Sequence, residues 1–142
     1  LAAAEITDSS GGIDVSDIAG TVVIPKDSSG DIEVERVGAV TIQIDSSGDI
    51  FIREAAEVTI ANDTSGDISV EDAVSVTIAN DSSGEIVLRR IGGDVLIGND
   101  SSGLISVRGV AGNFVVENDT SGGIRHEDVE GSVSLPEYRQ GT

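Results

Sequence analysis

Residues 45–62 read Asp45-Ser46-Ser47-Gly48-Asp49-Ile50-Phe51-Ile52-Arg53-Glu54-Ala55-Ala56-Glu57-Val58-Thr59-Ile60-Ala61-Asn62, and this stretch decides the fold. Its apolar residues fall in pairs two apart, Ile50 with Ile52 and Val58 with Ile60. Period-2 alternation of β-branched residues is the pattern of a strand with one buried face, whereas a helix needs apolar residues three and four apart. The stretch therefore holds two short strands. Asp45-Ser46-Ser47-Gly48 supplies a corner. Asp at the first position of a tight turn accepts a backbone hydrogen bond from two residues on, and Gly takes the positive φ that follows.

The same stretch recurs along the whole chain. Asp-Ser/Thr-Ser-Gly begins at Asp8, Asp27, Asp45, Asp63, Asp81, Asp100 and Asp119, with spacings of 19, 18, 18, 18, 19 and 19 residues. Aligned on that Asp, the repeats show five apolar columns, represented by Ile50, Ile52, Ala55, Val58 and Ile60. Of the 35 column positions 34 are apolar; the exception is His126 in the last repeat. The extra residue of a 19-residue repeat falls in a second corner, as in Gly92-Gly93-Asp94 and Ala111-Gly112-Asn113. Corners tolerate insertion, but within a strand one extra residue would turn every following side chain to the wrong face.

One repeat cannot bury its own apolar face, so successive repeats must stack. Parallel stacking at about 4.8 Å sets like residues over like residues, and parallel crossovers are overwhelmingly right-handed. The expected fold is all-β: a single-stranded right-handed parallel β-helix (β-solenoid) of about seven coils of 18–19 residues, with residues 1–142 as one domain. Pro25 and Pro136 share a repeat position in the first and last coils. Proline cannot donate to a strand ladder, so both are expected to blunt exposed edges.

Composition narrows the function. The chain of 142 residues has no cysteine, so it has neither disulfides nor thiolate metal sites. Its formal net charge is −18, which repels nucleic-acid phosphates and anionic lipid headgroups. No apolar run approaches the roughly 20 residues of a membrane helix. Residues 1–4 read either as the small-residue tail of a removed export signal or as an arbitrary boundary.

Residues able to carry chemistry are few. The column Asp8, Asp27, Asp45, Asp63, Asp81, Asp100 and Asp119 is first a structural turn. A weak divalent-cation stripe is the alternative, although calcium wants six to eight converging oxygens and each coil offers one Asp. His126 is the sole histidine, so a Ser-His-Asp arrangement has only one place to form. That place is the core column of the last coil. No enzyme activity and no cofactor are expected. Asn62, Asn80, Asn99 and Asn118 precede the Asp and should stack as an amide ladder. Glu35, Arg53, Glu71, Arg89, Arg108 and Glu127 form an outward column in which charges largely alternate, suited to ion pairs between coils. The outward column of the second strand is flat and uncharged: Val23, Thr41, Thr59, Thr77, Leu96, Val115 and Ser134. In so acidic a protein such a face is the candidate interaction surface.

The repeated pattern Ser29-Gly30-Asp31-Ile32-Glu33-Val34, again Ser65-Gly66-Asp67-Ile68-Ser69-Val70, and the ending Thr120-Ser121-Gly122-Gly123-Ile124-Arg125-His126 resemble the bacterial adhesin-like family of right-handed β-solenoids, formerly a domain of unknown function. The resemblance spans essentially the whole chain. It implies a single-stranded right-handed β-helix exported to the periplasm or cell surface, or secreted, with some members linked to envelope-stress sensing. It brings no catalytic residues. The function expected is thus a non-catalytic structural or binding module with a protein or surface partner, monomeric or a small homo-oligomer. An ice-binding solenoid or a self-assembling filament subunit is the alternative.

Overall fold

The computed structural model describes residues 3–8, 11–27, 30–45, 48–63, 66–82, 84–100, 103–119 and 123–134. Among them there is no helix, and the strands form one parallel sheet wound on itself as a β-solenoid. In order they are β1 (Ala3–Asp8), β2 (Ile13–Asp27), β3 (Ile32–Asp45), β4 (Ile50–Asp63), β5 (Ile68–Asp81), β6 (Ile86–Ile91), β7 (Val95–Asp100), β8 (Ile105–Val110), β9 (Phe114–Asp119), β10 (Ile124–Val129) and β11 (Val133–Ser134). Register follows the repeat: Ile32 pairs with Ile50, Ile50 with Ile68, and Ile68 with Ile86. Backbone bonds between coils continue at the strand starts, where the Ile50 N–H donates to the Asp67 carbonyl at 2.8 Å.

Seven repeats make about six turns rather than seven. The first-strand ladder climbs seven rungs, β2, β3, β4, β5, β6, β8 and β10, and seven rungs enclose six full turns. Among the described residues before Ile13, β1 lies beneath the second half of the first coil.

Strand division differs from the expected two per coil. β2 to β5 run unbroken for 14 or 15 residues, whereas the last three coils split into β6/β7, β8/β9 and β10/β11. The breaks lie at residues 92–94, 111–113 and 130–132, where the expected second corner carries its extra residue. In the first coil the same insertion appears as a register shift between Ile18 and Thr21.

The continuous strands bend at a position the hydrophobic pattern does not mark. Asp17, Arg36, Glu54, Asp72, Arg90 and Asp128 have φ between 55° and 59°, and Gly109 has φ 74°. This left-handed residue lies between the second and third apolar columns. It turns the chain so that the third column also points inward.

All five columns are buried through the first six coils, with Ile32, Ile50, Ile60, Ile68, Ile78 and Ile86 fully inaccessible. The last coil is not buried. Ile124 and Val129 are partly covered, while Val133 is 36% exposed and His126 is exposed, because among the described residues no further coil stacks on them. Leu135 lies outside the described residues.

The edge-blunting expectation for Pro25 is corrected. β1 pairs beyond it, with Glu5 opposite Val23 and Thr7 opposite Lys26, so Pro25 lies inside the ladder. The register shift between Glu5 and Thr7 puts the extra residue on the β2 side, where the missing proline N–H would otherwise leave a gap. Pro136 lies outside the described residues.

Candidate binding face

The second-strand face is one unbroken column. Val23 pairs with Thr41, Thr41 with Thr59, Thr59 with Thr77, Thr77 with Leu96, Leu96 with Val115, and Val115 with Ser134. Backbone register adds Glu5 beneath Val23. Leu96 is 37% exposed, Ser134 is exposed, and the members from Val23 to Val115 otherwise sit half-buried. Their alternation with Val58, Ile60 and equivalents holds them outward, since moving one in would expel a buried aliphatic.

A shallow hollow of about 400 Å³ opens on this face over β5, β7 and β9. Thr77, Leu96 and Val115 belong to the column, and Ser75, Asp94 and Asn113 flank it. The flanking residues stand two positions earlier in each strand, so period 2 puts them on the same side. Sequence reasoning assigned them to the second corner and missed them as part of the face. Asp94 and Asn113 are held in place: the Asn113 N–H donates to Asp94 Oδ1 at 2.8 Å, and the Ser132 N–H to Asn113 Oδ1 at 2.8 Å. The hollow thus offers a hydroxyl pair, a carboxylate and an amide around Leu96 and Val115. Such a set can hydrogen-bond a polar partner while burying a small apolar patch.

One border of the face is the asparagine ladder. Asn80 Nδ2 donates to Asn62 Oδ1 at 3.1 Å, Asn99 to Asn80 at 2.9 Å, and Asn118 to Asn99 at 2.9 Å. Asn80 and Asn99 each donate to the coil below and accept from the coil above, which fixes their orientation.

The Asp column is also in register, Asp8 on Asp27 and onward through Asp45, Asp63, Asp81 and Asp100 to Asp119. Asp63, Asp81 and Asp100 are buried to within 2%, which makes them a sixth inward column that the apolar pattern concealed. Apart from Ser82, whose N–H donates to the Asp63 carbonyl at 3.0 Å, the Ser and Thr residues of the turn lie outside the described residues. Among the described residues no cluster of three acidic or imidazole groups is placed to hold a metal ion. His126 stands on the terminal rung, its ring 6.3 Å from that of Phe114.

The first-strand face carries charge. Arg53 bridges Glu35 at 3.4 Å and Glu71 at 4.0 Å, Arg89 meets Glu71 at 3.5 Å, and Arg108 meets Glu127 at 3.1 Å. At the left-handed corner Arg36 grips Asp17 through two hydrogen bonds of 2.6 and 3.1 Å, and Arg90 grips Asp72 likewise. These bonds hold both Asp carboxyls below the usual carboxylate range, with the arginine charge adding to the effect. The Arg36 and Arg90 guanidiniums are pushed up correspondingly, first by the hydrogen bond and then by the charge of the paired Asp.

No helix is long and apolar enough to cross a membrane among the described residues. No protein-family model, curated protein or solved structure matches the chain.

Proposed function

We propose that this solenoid is a non-catalytic, adhesin-like binding module, envelope-associated or secreted, that recognises a protein or surface partner through its second-strand face. The observation carrying this reading is the hollow between Thr77, Leu96 and Val115, set on a column that carries no charge from Val23 to Ser134 on a chain of net charge −18. An acidic surface keeps unrelated anionic partners away, and an uncharged strip concentrates contact where desolvation costs least. Short-range backbone ladders hold the strip rigid, so little side-chain freedom is lost on binding.

The test is adhesion of beads coated with the protein to bacterial surfaces and to arrays of glycans and extracellular proteins. Thr59→Lys with Thr77→Lys is expected to abolish retention while leaving the melting temperature within a few degrees, because both side chains point outward. Retention unchanged by the double substitution would remove this face from consideration.

A further inference from the structure

The outer column of the first-strand face is acidic at one end and basic at the other. It opens on Asp14 and Glu33, passes Phe51, Ser69 and Val87, and closes on Ser106 and Arg125. The next column sets Glu35 on the second rung and Arg108 on the sixth. Two shallow hollows follow the same division. One, of about 380 Å³ over the first three rungs, is lined by Asp14, Glu33 and Glu35 with Arg53 beside Phe51, and is acidic on balance. The other, of about 230 Å³ over the last three, is lined by Arg89, Arg108 and Arg125 with Glu127 and His126 beside Val87, and is basic on balance. Asp14 and Arg125 are exposed and take part in no ion pair among the described residues. Six rungs separate them, roughly 29 Å at about 4.8 Å per rung, so they do not neutralise each other within one chain.

From this order we infer that a second copy of the chain docks on the first-strand face, antiparallel, about a two-fold axis at the fourth rung. Reversal sets Asp14 against Arg125, Glu35 against Arg108 and Phe51 against Val87, with Ser69 meeting Ser69 on the axis. Each pairing off the axis occurs twice, as a two-fold interface requires. A parallel arrangement would oppose Asp14 to Asp14 and Arg125 to Arg125. Two pairings are unfavourable, Arg53 against Arg89 and, on the axis, Glu71 against Glu71. Both of those arginines already lie against Glu71 of their own chain, and the axis brings the two Glu71 side chains together, so each repulsion is bracketed by opposite charge. Phe51, 39% exposed, is the largest apolar group on this face and gains cover.

The area sets the strength. A face roughly 30 Å long and one short strand wide, about 13 Å, covers about 400 Å² per copy. That lies below the roughly 800 Å² per partner of standard stable complexes. The dimer is therefore weak and reversible, and two chains of net charge −18 oppose it further. It leaves the second-strand face untouched, so it does not depend on the proposed partner binding.

Sedimentation velocity at about 0.15 M ionic strength tests the inference. The weight-average mass is expected to rise from 14.5 kDa toward twice that value as concentration increases from about 10 μM to about 1 mM. Asp14→Arg alone and Arg125→Asp alone are each expected to weaken association about tenfold or more. The two together should restore it, because the reversed charges again face each other across the axis. A chain monomeric throughout that range, singles without effect, or a double variant that fails to recover would each overturn the proposal. Both side chains are exposed and take part in no ion pair among the described residues, so thermal melts should confirm that all three variants fold.

Discussion

Gly66 shows how one residue carries the coil spacing. Its φ is +106°, and a Cβ there would lie 1.9 Å from the Gly48 carbonyl oxygen of the preceding coil. The position therefore excludes a side chain twice, by conformation and by the closeness of the next coil. Gly66→Ala is expected to destabilise the fold by about 2–4 kcal/mol, read as a drop in the midpoint of chemical unfolding. A loss below that range would mean that the coils separate locally at little cost. The turn glycine was legible because its neighbours Asp and Ser mark a turn. The left-handed residues Arg36, Glu54 and Arg90 were not. A side chain in that region costs about 1–2 kcal/mol, and arginine and glutamate have no special tolerance for it, so only stacking of the coils imposes the bend.

At the scale of the element, the ladders work by repetition. A hydrogen bond from Asp49 N–H to Asp31 Oδ1 recurs from Asp67 to Asp49 and from Glu85 to Asp67. These side-chain rungs continue the strand ladder past its end, and nothing in a single repeat marks them. The asparagine ladder was readable because four identical amides share a column. The corner ion pairs give a pH signature. Asp17 and Asp72 have depressed carboxyl pKa values in the folded state, so their pairing contributes above the unfolded value of about 4 and is lost as pH falls through the lower folded one. Replacing Arg36 and Arg90 by Gln should lower the melting temperature by no more than a few degrees at pH 7, since both pairs are exposed. The difference from the parent should persist down to about pH 4 and vanish well below it. Melts followed by circular dichroism between these limits decide the point, and a difference that survives at strong acidity would mean the arginines act through packing.

For the whole molecule, charge and shape oppose each other. Twenty-six acidic against eight basic side chains sit on a thin rod, so repulsion between coils is the dominant long-range term. Sodium chloride is expected to raise the melting temperature by several degrees, outweighing the screening of a few exposed ion pairs. Calcium should add no further chelator-reversible rise, because Asp63, Asp81 and Asp100 turn inward and offer no exposed cradle. A stabilisation by calcium that chelator removes and matched sodium chloride does not reproduce would restore the cation stripe.

The repeat alone determined the stacking, the register and the five aliphatic columns, because spacings of 18 and 19 residues with period-2 alternation leave one way to bury Ile50, Ile52, Val58 and Ile60 together. It also separated the uncharged face from the charged one, since strand alternation fixes which side each residue takes. Only the tertiary structure decided that Asp63, Asp81 and Asp100 point inward, that β1 covers Pro25, and that Ser75, Asp94 and Asn113 complete the hollow. Those features depend on the bend at the left-handed residue and on contacts between coils, and a local pattern carries no record of either.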